Sequence, residues 1–218
     1  PLPCWTSFPH PDYSSLGALF NRFGVLSKSG SINVPKVVLI ENGSHVIEDE
    51  YNEVYGREVN VVKIEIPITI IGESREHCII IGGLFMNQQQ KIAWSYISNL
   101  TLRDSKCHGI YGRCDFAIHL DNVSVENSAG CGVFVSGTKR STMKNCNVSH
   151  SKKSGLVVGG GGLMTIDGKD TTVHHNCTDG NSAWYGLYTA YSSSSIHLAS
   201  PLTIEMISKN NGGGGNHG

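Results

Sequence analysis

The strongest constraint on this chain is a repeat of 23 residues through its middle. The pairs Gly109-Ile110, Gly132-Val133 and Gly155-Leu156 follow one another at that spacing. The same offset aligns one column of asparagine and several columns of apolar residues: Asn99, Asn122 and Asn145; Leu100, Val123 and Cys146; Leu102, Val125 and Val148; Ile97, Leu120, Met143 and Ile166. A fixed period in this range indicates a solenoid, in which each repeat buries its apolar face against its neighbours.

The residue types within the repeat favour coils of short parallel strands. Leucine-rich repeats also span about 20–29 residues but need leucines at several fixed positions, and propeller blades need about 40–50 residues. Here each repeat contains Asn-[Leu/Val]-[Thr/Ser]-[Leu/Val], as at Asn99 and Asn122. Aliphatic columns stack in an interior, while asparagine and glycine columns allow tight corners. The sequence therefore predicts an all-β, single-domain parallel β-helix.

The register predicts which side chains are buried. We expect nine aliphatic side chains to face the interior: Leu100, Leu102, Ile110, Val123, Val125, Val133, Val148, Leu156 and Leu187. Thr101 and Ser124 alternate with these positions and are expected to face solvent. We expect the Asn122 amide to hydrogen-bond the backbone or its neighbours Asn99 and Asn145. The Asn-x-Ser/Thr sequences at Asn99 and Asn122 would then arise from the repeat rather than from glycosylation.

The two ends of the chain differ from the repeat. Residues 14–24 carry leucine and phenylalanine at helical spacing, with Ser14 or Ser15 at the start and Gly24 at the end. This pattern predicts a short capping helix over Leu16–Phe23. We divide the chain into an N-terminal segment with this helix (1–33), the parallel β-helix (34–207) and a flexible glycine-rich tail (208–218). Residues 201–206 are expected to cover the C-terminal end of the solenoid.

Composition argues against several classes of function. Lys and Arg number 17 against 18 Asp and Glu, so the chain lacks the basic excess that binds nucleic acid by bulk electrostatics. No apolar run approaches the roughly 18 residues of a membrane span, and the first residues do not resemble a signal peptide. Seven cysteines without a Cys-x-x-Cys pair indicate reduced thiols. We expect neither a nucleic-acid nor a membrane partner, and the compartment is left open.

Two segments carry a family resemblance. Residues 67–73 (PITIIGE) and 78–83 (CIIIGG) resemble the opening of pectin-lyase-like right-handed β-helices. The coils that follow are similar to the repeats of NosD-like and F-box-type β-helix proteins. The resemblance covers residues 34–207 and implies a right-handed solenoid of about six coils. It implies little about function, because this superfamily contains lyases, hydrolases, epimerases and non-catalytic repeat domains.

The register shows no acidic cluster of the kind that catalysis in this superfamily uses. A calcium-dependent lyase needs several carboxylates around the ion, with a basic residue beside them. Asp121 and Asp167 lie two coils apart with Lys144 between them, which indicates an exposed ladder of alternating charge. The adjacent aspartates and the Gly-His-Gly of related hydrolases are absent from the sequence. We therefore assign no catalytic residue, no metal and no cofactor, and enzymatic activity is left open.

One coil contains an insertion. The spacing between glycine-aliphatic pairs lengthens to 31 residues between Gly155 and Gly186, which predicts about eight extra residues. Insertions in solenoids form loops, often on the binding face. The candidate binding residues lie near this insertion or share one column of the register: Asp104, Asn127, His150, His174, His175, Asp179, Trp184 and Tyr185. Aromatic rings beside polar donors commonly hold a sugar or a peptide. A polar turn ladder with solvent-exposed histidines is the alternative interpretation.

These features predict a non-catalytic solenoid that binds an extended polymer, namely a polysaccharide, or a protein partner through its lateral face. Two alternatives stay open. The first is a carbohydrate-active enzyme, either a polysaccharide lyase or a glycoside hydrolase, and the second is a structural component of a cell surface or virion. An acidic cluster on one face would favour the enzyme.

Overall fold

The computed structural model describes residues 5–31, 34–87, 94–113, 116–191 and 193–218. The elements of the N-terminal half are β1 (Trp5–Phe8), α1 (Leu16–Lys28), β2 (Val37–Ile40), β3 (Gly43–Val46), β4 (Glu50–Asn52), β5 (Arg57–Val59), β6 (Val61–Ile64), β7 (Ile68–Gly72), β8 (Cys78–Ile81), β9 (Gly83–Asn87) and β10 (Trp94–Arg103). The elements of the C-terminal half are β11 (Ile110–Arg113), β12 (Ala117–Glu126), β13 (Val133–Ser136), β14 (Arg140–Lys144), β15 (Asn147–Ser149), β16 (Leu156–Gly159), β17 (Leu163–Asp167), β18 (Thr172–His174), β19 (Leu187–Thr189), β20 (Ser195–Leu198), α2 (Ile204–Ile207) and β21 (Ser208–Lys209). Neither helix within these segments has the length and apolarity needed to cross a bilayer.

The strands pair in parallel and form three faces of a β-helix. The first face contains β1, β2, β7, the first halves of β10 and β12, and then β14, β17 and β20. The second face contains β3, β8, the second halves of β10 and β12, and then β15, β18 and β21. The third face contains β6, β9, β11, β13, β16 and β19. An antiparallel hairpin of β4 and β5 is inserted between β3 and β6. The predicted all-β parallel β-helix is confirmed.

Stacked aliphatic columns fill the interior of the solenoid. Leu100 pairs with Val123, and Leu102 pairs with Val125, in neighbouring coils. The nine side chains that we expected to face inward are at most 4% exposed. Because neighbouring strands lie about 4.8 Å apart, each coil buries the apolar surface of the next. The predicted inward register is therefore confirmed.

The prediction that Thr101 and Ser124 face solvent is wrong, because both are only 4% exposed. The Thr101 hydroxyl donates a hydrogen bond of 2.6 Å to the backbone carbonyl of Arg75. The Ser124 hydroxyl donates one of 2.7 Å to Glu126 Oε1. The Arg75 side chain continues across the surface and donates from Nη1 to the carbonyl of Asn145 at 3.1 Å. The loop before β8 therefore covers a stretch of the second face that strand alternation assigns to solvent.

The first corner, between the first and second faces, is built from asparagine. Asn99, Asn122 and Asn145 have φ of 55°, 54° and 50°, in the left-handed region that asparagine tolerates better than most residues. Gly168 follows β17 and occupies this corner in the next coil, with φ of 81°. Asn122 Nδ2 donates a hydrogen bond of 3.0 Å to Asn99 Oδ1. The predicted contact between these amides is confirmed, and both asparagines have a structural role.

Helix α1 lies at the N-terminal end of the solenoid and packs against β6. The Ser15 hydroxyl accepts a hydrogen bond from the backbone of Ala18 and caps the start of the helix. The apolar face is buried: Leu16, Leu19, Phe20 and Phe23. Gly24, expected to end the helix, lies inside it, and the helix continues to Lys28. A Cβ at Gly24 would lie 3.3 Å from the Glu65 carboxylate, so the missing side chain permits the close approach.

The inserted residues are divided between two places, which the sequence did not reveal. The offset is still 23 between β14 and β17, where Lys144 pairs with Asp167. Asn147 then pairs with Thr172, 25 positions later, so two extra residues lie between β17 and β18. Leu156 pairs with Leu187, 31 positions later, so the other six lie between β18 and β19.

The C-terminal residues 208–218 differ from the flexible tail that composition led us to expect. Strand β21 pairs with β18, and His217 forms a parallel bridge with Leu187. Gly218 accepts a hydrogen bond of 3.1 Å from the backbone of Thr189 and donates one of 3.0 Å to that of Leu187. Between β21 and the bridge at His217, Asn210 adopts the left-handed conformation, with φ of 52°. The segment follows the path of a further coil, and backbone hydrogen bonds hold it there despite its lack of apolar side chains.

The described cysteines are buried free thiols: Cys78, Cys107, Cys131, Cys146 and Cys177. Burial raises the pKa of Cys131 and that of Cys146 to about 12 each. Both therefore remain neutral at ordinary pH and pack as small apolar groups.

Candidate functional site

The second corner, between the second and third faces, carries the column of predicted binding residues. Asp104, Asn127, His150 and His175 occupy equivalent positions in successive coils, with φ between 52° and 58°. Asn210 continues the column with φ of 52°. Among residues with a side chain, asparagine, aspartate and histidine are the ones enriched in this left-handed conformation. Backbone geometry therefore explains residue types that we had assigned to binding.

The side chains of this column are exposed and contact one another. Asn127 Nδ2 donates a hydrogen bond to Asp104 Oδ1. The rings of His150 and His175 stack at a centroid distance of 5.4 Å and an interplanar angle of 5°. The Nδ1 atoms of His174 and His175 lie 2.8 Å apart, so one of them donates to the other. Partial burial, followed by the charges of His175 and His150, lowers the pKa of His174. The structure thus brings together five of the eight predicted residues.

The three histidine rings contact one another, one pair stacked and two pairs edge to face, but their nitrogen atoms do not converge on one point. The His150 and His174 rings meet edge to face at 6.0 Å, and the parallel His150 and His175 rings present their faces, rather than their nitrogen lone pairs, to each other. Within the segments that the structure describes, no three His, Cys, Asp or Glu side chains are arranged to hold a metal ion. We therefore assign no metal to this column.

The remaining predicted residues lie in the loop between β18 and β19, which contains six extra residues, and they make separate contacts. Asp179 Oδ1 accepts a backbone hydrogen bond of 3.1 Å within its own loop. Lys153 Nζ lies 4.9 Å from the centroid of the Trp184 ring. Tyr185 stacks on Tyr188 of β19 at 5.5 Å. Among the described residues, no ring contact or hydrogen bond joins Trp184 or Tyr185 to the histidines. The predicted site is therefore divided into two parts.

The third face carries an aromatic stack that the sequence analysis missed. The rings of Phe85, Tyr111 and Phe134 stack at centroid distances of 5.3 and 5.0 Å. Tyr55, from the turn of the β4–β5 hairpin, packs on Phe85, and His108 packs on Tyr111. Phe85, Tyr111 and Phe134 present their faces to one another, so the stack stabilises the solenoid and leaves little ring area for a ligand. The 23-residue spacing of Tyr111 and Phe134 is the signal that reveals it.

His108 and Tyr55 are neutral groups beside this stack. Burial lowers the pKa of His108 to about 4, and the charges of Lys153 and Arg57 act in the same direction. Its Nδ1 accepts a hydrogen bond of 3.0 Å from the backbone of Cys131, which requires that this nitrogen carry no proton. Burial, together with the neighbouring Cys107, raises the pKa of Tyr55.

The first face carries a strip of hydrogen-bonding side chains, which we call the polar strip. It consists of two columns in register: Tyr96, His119, Thr142, Thr165 and His197; and Asp121, Lys144 and Asp167. The Tyr96 hydroxyl donates a hydrogen bond of 3.2 Å to Asp121 Oδ2. His119 Nδ1 and Thr142 Oγ1 lie 3.0 Å apart. Lys144 makes no ion pair with any described residue. The ladder of alternating charge has the predicted register, and its cation is available to a ligand.

Among the described residues, three carboxyl groups have a pKa that their surroundings clearly shift, and all three are lowered: Glu65, Glu76 and Glu205. Burial of Glu65 acts to raise its pKa, but hydrogen bonds and charges from Lys28 and Lys63 outweigh this effect. A general acid that works near neutral pH needs the opposite shift. These three carboxylates act as acceptors in hydrogen bonds and ion pairs.

Stacked parallel strands, left-handed corners and an aliphatic interior together define a parallel β-helix solenoid. Residues 82–215 match the family model described as right handed beta helix region, and the chain belongs to that family. No curated protein sequence matches the chain. The chain is similar to the crystal structure of the Agl-KA catalytic domain, with a TM-score of 0.49 and 17% identity over 86% of this chain. It covers 39% of that structure, and the likeness concerns the fold alone.

Proposed function

We propose that this chain is a non-catalytic solenoid that binds an extended polysaccharide along the polar strip of the first face. The observation that carries the proposal is the run of hydrogen-bonding side chains through five successive coils. Successive members lie about 4.8 Å apart along the solenoid axis. A polymer lying along that axis meets donors and acceptors in every coil, and Tyr96 adds ring area at one end.

Two other surfaces fit this role less well. At the second corner, the left-handed backbone accounts for Asn127 and His150 without a ligand. On the third face, the rings of Tyr111 and Phe134 are stacked on each other. The members of the polar strip lie in ordinary strands, where the backbone places no such demand on residue type. The ammonium group of Lys144 adds a donor that forms no ion pair within the described part of the chain.

The geometry of the strip favours binding over cleavage. Glycoside hydrolysis uses two carboxyl groups about 5–9.5 Å apart, one of which has a raised pKa. Asp121 and Asp167 are separated by the strand of Lys144, which places their backbones about 10 Å apart. Asp121 also accepts the hydrogen bond from the Tyr96 hydroxyl, so this carboxylate already has a partner within the strip. A polymer held here therefore meets fixed hydrogen-bonding groups rather than an acid–base pair.

The proposal is tested by calorimetric titration of the protein with soluble uronan and glucan polymers. Thr165→Ala and Lys144→Ala change the strip, and we expect the pair together to weaken binding about tenfold. His175→Ala and Trp184→Ala change residues that the sequence analysis had assigned to binding but that lie outside the strip. They serve as matched controls, and we expect them to leave the affinity for the polymer unchanged. Melting curves for all variants show whether each one is folded.

Three results would contradict the proposal. Loss of binding only in His175→Ala and Trp184→Ala would move the site to the second corner and its loop. Release of oligosaccharides by the unchanged protein would establish an enzyme. Absence of binding to every polymer would favour the protein partner.

A further inference from the structure

A surface cavity of about 700 Å³ lies beside the N-terminal end of the first face. It is bounded by the end of α1, the segment that leads into β2 and the starts of β7 and β10. Its described lining is as follows: Ser27, Ser31, Val34, Pro35, Lys36, Val37, Ile66, Pro67, Thr69 and Trp94. This volume falls within the range of about 300–1,000 Å³ that is usual for small-molecule sites. The cavity adjoins the Tyr96 end of the polar strip, because Thr69 pairs with Tyr96, but its described lining includes no member of the strip. Its occupant is therefore a question beyond the proposed function.

Three ring-bearing residues line the cavity. The register places Pro35 beside Pro67, and Pro67 beside Trp94, in adjacent coils. Trp94 is 39% exposed, which is unusual for a side chain with so much apolar surface. Stiff prolyl rings and an indole offer flat apolar surface that loses little conformational entropy when a ligand binds. Such a lining favours a flat aromatic group over a flexible or fully polar one.

The charge of the lining indicates the second part of the ligand. Lys36 is exposed and makes no ion pair with any described residue. The described lining contains no carboxylate that would compensate this charge. Thr69 and Ser27 supply hydroxyl groups at the same cavity. An anionic group at the edge of the ligand would gain a charge-assisted hydrogen bond from Lys36, while a cation would be repelled.

We infer that this cavity is a binding site for an aryl carboxylate. The aromatic ring lies against Trp94 and the two prolines, and the carboxylate faces the Lys36 ammonium group. The site takes a small molecule, or an aromatic acid attached to a larger one, independently of whether the polar strip binds a polymer.

The test uses 2-naphthoate as the probe and its uncharged amide, 2-naphthamide, as the matched ligand without charge. Titration calorimetry with the full chain should show one site with a Kd below about 1 mM for 2-naphthoate. Trp94→Ala should weaken both probes about tenfold, because it removes the ring surface that both share. Lys36→Gln should weaken 2-naphthoate about threefold and leave 2-naphthamide unchanged.

Two control variants separate the cavity from the rest of the face. Trp5→Ala removes another exposed tryptophan, and Lys169→Gln removes an exposed lysine outside the polar strip. Neither residue lines the cavity. Both should bind the probes as the unchanged protein does. The inference is overturned by the absence of saturable binding at millimolar probe, by equal losses in Trp94→Ala and Trp5→Ala, or by a Lys36→Gln effect that is the same for both probes. Because all four side chains are exposed, we expect the variants to fold, and thermal melting checks this.

Discussion

The two corners of the solenoid use one backbone conformation for different chemistry. Asn122 at the first corner and Asn127 at the second both have φ of 54°. The Asn122 side chain is half-buried and bonded to Asn99, whereas Asn127 is exposed. A half-buried amide must satisfy its own hydrogen bonds, so asparagine recurs at the first corner. At the second corner, water can satisfy the hydrogen bonds of the exposed side chains, so aspartate, asparagine and histidine are all tolerated there. A column of histidine and aspartate at such a corner is therefore weak evidence for function.

The largest expected difference between the two corners is their sensitivity to acid. Acid should destabilise the protein through the second corner, because the turn that follows this corner contains His108. Its pKa in the folded protein is about 4, below the ordinary value of 6.5, so the unfolded chain takes up a proton first as the pH falls. The free energy of unfolding should have its full value above about pH 6.5. It should fall by up to about 3 kcal/mol as the pH is lowered to about 4. Urea denaturation at a series of pH values measures this decline.

His108→Gln should flatten that pH dependence, because the replacement does not titrate. His197→Gln removes an exposed histidine and is the matched control. If His108→Gln and the unchanged protein showed the same slope, the second corner would not be the origin of acid sensitivity.

Alanine at equivalent corner positions should show the difference in burial directly. Asn122→Ala removes the hydrogen bond between the Asn122 and Asn99 amides and places alanine in the left-handed region. Together these changes should lower the free energy of unfolding by about 2 kcal/mol. Asn127→Ala has the same backbone strain but loses only an exposed contact, and about 1 kcal/mol is expected. Thermal and urea unfolding of both variants measures the difference, and equal losses would contradict the comparison.

Glycine removes the strain and isolates the side-chain contribution. Asn122→Gly should still lower stability by about 1 kcal/mol, because the hydrogen bond to Asn99 is lost. Asn127→Gly should leave stability within about 0.5 kcal/mol of the unchanged protein. A larger loss for Asn127→Gly than for Asn122→Gly would reverse the assignment of the two corners.

The smallest expected effect is a gain at the inner side of the second corner. The Ser151 hydroxyl is buried and has no hydrogen-bond partner among the described residues. At the same position in the next coil, Asn176 accepts a hydrogen bond from the backbone of Ser151 and donates one to that of Val148, both at 3.0 Å. Ser151→Asn should reproduce this pattern one coil earlier and add about 0.5–1 kcal/mol. Ser151→Ala, which supplies no donor, is the control, and an equal gain there would show that the amide contributes nothing.

The sequence predicted the periodic part of the fold well, because stacked coils repeat both backbone and burial. Val125 and Val148 are inside because they are one coil apart and apolar. The burial of Thr101 was not predictable in this way, since it depends on Arg75, which lies outside the repeating segment. The C-terminal coil was missed because its glycines resemble a linker in composition, although Asn210 repeats the corner.

The candidate site was predicted less well for a related reason. Insertion length is visible in the spacing of Gly155 and Gly186, but the path of the inserted chain depends on contacts with neighbouring coils. Trp184 lies over Lys153 of the preceding coil, away from the histidines that are close to it in sequence. The polar strip was only partly visible, through Asp121, Lys144 and Asp167, because polar residues on an outer strand face are ordinary in any β-helix.

The glycine that directly precedes β11, β13, β16 and β19 has a consequence for how such chains evolve. A Cβ at Gly132 would clash with Val148 Cγ1 and lie 2.8 Å from the carbonyl oxygen of Gly155, and one at Gly155 would lie 2.5 Å from Val173 Cγ1 and 2.8 Å from the carbonyl oxygen of Gly186. Each glycine therefore leaves room for a side chain that the following coil contributes. The backbone carbonyl of the next coil occupies the same space, so the glycine is needed whatever side chain that coil carries. Among related chains, these glycines should therefore stay unchanged while the side chains around them vary, and a duplicated repeat should persist only when its glycine is inherited intact.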